Sequence, residues 1–182
     1  LLRDLLDVIS EAKSDSRISA MVLQLSKLQG LSMGNLEEIS DALIDFRESS
    51  KPVYAFGPGY TQAEYFLAAH ADRIILNKDA FQTFGGVFLT GLGIYPTYYK
   101  SALDKLKVDI RVFSAGDYKD AVEPYLNDGM SDLSRESNSA WLQSLWQAYS
   151  SAVTEQRNLG ENALQTYIDS YSSLLGETEN DP

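Results

Sequence analysis

Short apolar runs of strand length alternate along this chain with segments whose apolar residues recur at helical spacing. That alternation constrains the fold more than any other feature. The runs are Met21-Val22-Leu23-Gln24-Leu25, Pro52-Val53-Tyr54-Ala55-Phe56 and Arg73-Ile74-Ile75-Leu76. Around them, Leu1, Leu2, Leu5, Leu6, Val8 and Ile9 predict a helix ending near Lys13 to Ser16. Leu36, Ile39, Leu43 and Phe46 mark a second helix, with Asn35 and Glu38 as its capping pair, and a third runs from about Thr61 to His70. Strands alternating with helices imply a mostly parallel sheet flanked by helices and joined by right-handed crossovers, so the fold class is α/β.

The second half is more helical. Pro96 suits the first turn of a helix reaching about Leu106. Val108, Ile110 and Val112 alternate with Asp109, Arg111 and Phe113, the period of a strand. Leu133, Trp141, Leu142, Leu145, Trp146, Tyr149 and Val153 line one side of a long helix ending near Gly160, and a last helix carries Leu164, Tyr167, Ile168 and Tyr171. The acidic stretch from Gly176 to Pro182 reads as a linker, which makes residues 1–175 one expected domain. The opening inside an amphipathic pattern, without Met, suggests a domain of a longer protein.

Composition narrows the chemistry. With 182 residues and 44% hydrophobic content the chain can bury a real core. It has no Cys, which removes disulfides, thiolate metal sites and cysteine nucleophiles. Fifteen Lys+Arg against 26 Asp+Glu give a net charge of −11, which opposes binding to nucleic acid or anionic lipid. No apolar run approaches the roughly 20 residues of a bilayer helix. The single His, His70, excludes a multi-His metal site and reads as a helix C-terminal cap interacting with the helix dipole.

Ligands of open α/β sheets bind beyond the carboxyl ends of strands. Four segments fall there: 26–35, 57–62, 82–93 and 114–125. None holds a full G-x-G-x-x-G, a G-x-x-x-x-G-K-[ST] or a G-x-S-x-G motif. The last segment is the informative one, because it sets Lys119 among Tyr118, Ala121, Val122 and Tyr125 just past an expected strand end. Desolvation by such neighbours disfavours the ammonium and makes a lysine a base near neutral pH. The plainer reading is a solvated lysine paired with Asp117 or Asp120.

The run Gly116-Asp117-Tyr118-Lys119-Asp120-Ala121-Val122-Glu123-Pro124-Tyr125 resembles the G-x-Y-K-S-A-x-E-P-[FY] segment of the signal peptide peptidase A (protease IV) family. Lys51 to Ala55, Tyr98 to Val108 and the Trp141 to Arg157 helix agree with the amino-terminal half of its long, duplicated bacterial form. The resemblance implies a ClpP/crotonase-like fold and a serine peptidase with a Ser/Lys dyad. Its lysine comes from the first copy of the fold and its serine from the second. By that match Lys119 is the catalytic general base. The resemblance also implies apolar signal-peptide substrates, the second repeat of the same chain as a partner, and a homotetramer. It further implies attachment to the bacterial inner membrane, on the periplasmic side, through an anchor before residue 1. No metal or organic cofactor is implied, because the dyad needs only proton transfer and oxyanion donors.

Two departures bear on the chemistry. Aligning the nucleophile copy's Ser-Gly-Gly-Tyr on Tyr65 puts Gln62, Ala63 and Glu64 where Ser-Gly-Gly would stand, so this half carries no nucleophile and the fragment alone is expected to be inactive. Asp120 replaces the motif's usual Ser, and a carboxylate facing Lys119 would raise its pKa. Two other classes fit the same fold: a noncatalytic oligomer scaffold, and a crotonase-like acyl-CoA enzyme. The acidic balance and the lack of a Lys/Arg cluster near the glycine loops disfavour the latter.

Overall fold

Each of the three apolar runs at 21–25, 52–56 and 73–76 coincides with a parallel strand. A computed structural model of the chain describes residues 1–28, 30–76, 86–111 and 120–177, with Asp120 and residues 171–177 described by backbone alone. Two compact units divide it, one of Leu1–Thr90 with Ala148–Pro182, the other Gly91–Gln147.

In the first unit, α1 (Leu2–Ser14), β1 (Met21–Leu23), α2 (Met33–Arg47) and β2 (Val53–Gly57) come first. They are followed by β3 (Gly59–Thr61), α3 (Gln62–Ala68), β4 (Arg73–Leu76) and β5 (Gly86–Phe88). Strands β1, β2 and β4 form a parallel sheet in that order, in the register Met21 to Val53 and Tyr54 to Arg73. A second parallel pair, β3 with β5, aligns Gly59 with Gly86. Strand alternation turns Val53 and Ala55 inward, where they are buried with Leu43 and Phe46 of α2 and Phe66 of α3. The opposite face presents Val22, Phe56 and Ile75, all exposed.

The cap of α2 differs from expectation. Ser32, extended at φ −74° and ψ 164°, is the N-cap, and its Oγ accepts the N–H of Asn35. Asn35 therefore lies inside the first turn. A hydroxyl three residues upstream reaches that orphan donor first.

The second unit holds α4 (Lys100–Lys105), a 3₁₀ turn (Asp120–Val122) and α5 (Glu123–Leu126). The helix α6 (Asp132–Arg157) contributes its residues up to Gln147 here and the remainder to the first unit, which ends in α7 (Ala163–Glu177). Pro96 does not open α4. The Tyr99 N–H donates to the Pro124 carbonyl at 2.6 Å, and helical bonding begins only with the Leu103 N–H to the Tyr99 carbonyl.

The expected strand at 108–112 is absent from residues 108–111, and Val112 lies outside the described residues. Lys107 adopts φ 55°, and the N–H groups of Lys107 and Val108 turn back to the carbonyls of Asp104 and Leu103. This Schellman closure uses the donor a strand would have needed. Asn158, at φ 50°, closes α6 the same way through the Leu159 N–H and the Thr154 carbonyl. The apolar stripe of α6 is covered unevenly: Tyr149 and Val153 are buried, whereas Leu133 and Trp141 are exposed. Among the described residues no helix is long and apolar enough to cross a membrane.

Candidate functional site

Two regions carry the positions singled out in the sequence. The first is the start of α3, reached from the carboxyl end of β2. Gly57 packs closely there: a Cβ would come within 3.3 Å of Cε1 of Tyr60, so the ring would have to shift by a few tenths of an ångström. Tyr60 is buried, and its hydroxyl has no hydrogen-bond partner among the described residues. Burial, with the Glu64 carboxylate adding to it, pushes the Tyr60 phenol up from its ordinary value and keeps it protonated.

Thr61 and Glu64 form a reciprocal capping box. Oε2 of Glu64 accepts the Thr61 N–H at 2.7 Å, and Oγ1 of Thr61 accepts the Glu64 N–H at 3.4 Å. The side-chain oxygen of Gln62 accepts the N–H of Thr90 at 3.2 Å, while its main-chain carbonyl accepts the Tyr149 hydroxyl. Gln62, Ala63 and Glu64 thus offer no hydroxyl or thiol, and Gln62 and Glu64 are joints of the fold.

The second region follows Lys119. Lys119 itself lies outside the described residues, and Asp120 enters as the first backbone of the 3₁₀ turn. From there the chain is tightly held. The Glu123 carboxylate accepts the main-chain N–H of Ser131 at 3.2 Å, the Ser131 hydroxyl, and the Ser134 hydroxyl at 2.7 Å. Those hydrogen bonds, the two hydroxyls first, hold its carboxyl below the usual carboxylate range. Tyr125 stacks on Tyr99 with ring centroids 5.9 Å apart. Asp128 accepts both the N–H and the hydroxyl of Ser101, which lowers its pKa and caps α4.

Beside these groups is a cleft of about 240 Å³. Its walls are Ile94, Pro96, Tyr98 and Met130 on the apolar side and Glu123, Ser134 and Asn138 on the polar side.

His70 takes no part in either region. It is buried, and its Nδ1 lies 2.7 Å from the Phe66 carbonyl, a last-turn acceptor of α3. Burial foremost drives its pKa below 6.5, so a neutral Nδ1–H donates to that carbonyl. The ring caps α3 through a hydrogen bond rather than through positive charge. Among the described residues, no group of three or more His, Asp or Glu is placed to hold a metal.

Sequence reasoning missed the Thr61–Glu64 box and the Glu123–Ser131–Ser134 cluster. The first was legible as T-x-x-E ahead of an apolar run. The second had a subtler signal: Ser131 and Ser134 open a long helix with no acid at its third position.

Comparison with known proteins identifies a family for the chain. Residues 45–177 match peptidase family S49, a span that includes both regions. A Protease 4 of Salmonella typhi is 40% identical over 181 residues, covering 97% of this chain and 28% of that protein. A Protease 4 of Haemophilus influenzae is 34% identical over 179 residues, covering 96% and 28%. The chloroplastic serine protease SPPA of Arabidopsis thaliana is 21% identical over 159 residues, covering 87% and 23%. The chain thus spans 28% of the length of either Protease 4 relative.

Proposed function

This chain belongs to peptidase family S49, with its ClpP-like α/β fold, and from that premise we propose that it supplies the general base of a Ser/Lys dyad. Lys119 is that base. The nucleophilic serine belongs to a second copy of the fold, outside these 182 residues, and the chain alone does not turn over substrate. The observation that carries this reading is the run Gly116 to Tyr125, which keeps the Lys, Ala, Glu, Pro and aromatic positions of the family segment in order. Two further observations support it. The start of α3 has an engaged Gln62 where the nucleophile copy has serine, and the Protease 4 relatives are more than three times as long as this chain.

The chemistry follows from proton bookkeeping. A neutral Lys119 amine takes the serine proton as the hydroxyl attacks the scissile carbonyl, then returns it to the leaving amine. The amine must be unprotonated at working pH, which apolar surroundings favour. Substrates are remnant signal peptides, bound extended, with aromatic surface holding their apolar side chains. The working assembly is a homotetramer of two-repeat chains at the periplasmic face of the inner membrane, attached through an amino-terminal anchor.

The test is peptidase turnover by the full-length protein carrying Lys119→Met, compared with wild type at equal folding and assembly. Met keeps most of the stem and cannot accept a proton. The expected loss in kcat is about a thousandfold or more, the scale of removing a member of a catalytic unit. Near-normal turnover would place the base elsewhere.

A further inference from the structure

We propose that Glu123 is a positioning residue for Lys119: its carboxylate clamps the turn that follows the lysine onto the start of α6. This inference rests on the reading of Lys119 as the base.

The clamp has an unusual construction. Ser131 is the residue before α6, and its Oγ accepts the Ser134 N–H at 3.2 Å, so the helix already has an N-cap. In an ordinary capping box the third helical residue supplies the carboxylate that takes the N-cap N–H. Here that residue is Ser134, and the carboxylate comes from Glu123 on another element, eight residues before Ser131. The anion also faces the positive end of the α6 dipole. The Ser131–Ser134 bond already starts the helix, so the added carboxylate chiefly fixes where the turn sits.

The turn has little slack to absorb a loosened clamp. Asp120, Ala121 and Val122 alone separate Glu123 from Lys119, and they form the 3₁₀ turn, which rises about 2 Å per residue. One residue past the clamp, the Pro124 carbonyl takes the Tyr99 N–H at 2.6 Å, and Tyr125 stacks on Tyr99. Glu123, Pro124 and Tyr125 are therefore pinned, at consecutive residues, to α6 and to the start of α4. A general base must lie within hydrogen-bond reach of its hydroxyl, and a misplacement of about 1 Å can cost about a hundredfold in rate.

The test uses the full-length enzyme in four forms: wild type, Glu123→Ala, Glu123→Gln and Ser134→Ala, with Lys119→Met alongside. The kinetic constants are normalised to assembled protein. Glu123→Ala is expected to lower kcat by about 10- to 100-fold while KM stays within about twofold. Gln keeps the shape and one acceptor oxygen, so Glu123→Gln should recover most of that loss. Ser134→Ala, which removes a single bond, should fall between wild type and Glu123→Ala. It also serves as the reporter if the alanine variant at 123 fails to assemble.

A merely structural role for Glu123 would reduce the amount of assembled protein and leave kcat per assembled enzyme at the wild-type level. That result, or a wild-type kcat in Ser134→Ala, overturns the inference. If Lys119→Met is inactive while every clamp variant is normal, the positioning role fails and the base stands. If Lys119→Met turns over normally, the base assignment fails and takes the positioning role with it.

Discussion

The phenolic hydroxyl of Tyr149, on α6, donates a 2.9 Å hydrogen bond to the main-chain carbonyl of Gln62, the first residue of α3. The Tyr149 ring lies 5.5 Å from that of Phe66, one turn further along the same helix. The long helix therefore meets α3 through both a polar and an aromatic contact. Under the reading proposed above, the start of α3 is where a nucleophile copy would carry its serine, and here it carries Gln62.

Replacing Tyr149 by Phe keeps the ring and removes the bond. The variant should lose about 1 kcal/mol of stability near neutral pH, read as a lower urea midpoint. Burial pushes the Tyr149 phenol well above its ordinary value of 10.0. The folded state thus favours the neutral phenol, whose contribution is complete below pH 10 and is lost as pH rises beyond it. Wild type should lose stability more steeply than Tyr149→Phe above pH 10. Parallel alkaline slopes would show that another group governs that range.

Lys51 closes the end of α1 from a distance. Its Nζ donates to the carbonyls of Ala12 at 2.8 Å, Lys13 at 3.0 Å and Asp15 at 2.7 Å, satisfying acceptors that the helix leaves open. Lys51→Met should destabilise the chain by about 2 kcal/mol in chemical denaturation. Lys51→Arg should not restore it fully, because a planar guanidinium cannot aim three donors at one convergent set of oxygens. An unchanged midpoint in Lys51→Met would show that solvent serves those carbonyls equally well.

His70 supplies an acid-side signature. Its pKa is lowered by burial first and by the Arg47 charge, against opposing influences from the Phe66 carbonyl, Asp41 and Glu155. The unfolded chain therefore binds the proton more readily than the folded one. The stability His70 contributes is present above pH 6.5 and is lost as pH falls through its folded pKa. The imidazole should titrate below 6.5 by NMR, and His70→Gln should flatten the acid limb of stability. Titration at or above 6.5 would contradict the buried neutral ring.

Much of the first unit was legible because its signals are local. The apolar period of α2 places Leu36, Ile39, Leu43 and Phe46, and all four are buried. β2 and β4 coincide with the apolar runs around Val53 and Ile74. Strands β3 and β5 were not legible: each has three residues, too few to show a period, and each begins with glycine. The strand expected from Val108 fails for a different reason. Its alternation is genuine, but the Val108 N–H is committed to closing α4. Periodicity describes side chains and is silent about where a backbone donor goes.

The candidate site divides along the same line. Lys119 and Glu123 were both visible in one sequence run, the lysine by its setting and the glutamate as part of a motif. What that glutamate holds was not visible, because Ser131 and Ser134 reach it only when the chain folds back through residues 127–130.

The sequence by itself determined the α/β alternation, the longer helices and the family to which the chain belongs, since each is written in residues a few positions apart. Tertiary structure alone decided which carboxylate caps α6, where α4 begins, and that Lys51 rather than a neighbour of Asp15 ends α1. Hydrogen-bonding groups take the nearest partner in space, and packing, not spacing along the chain, chooses which partner is near.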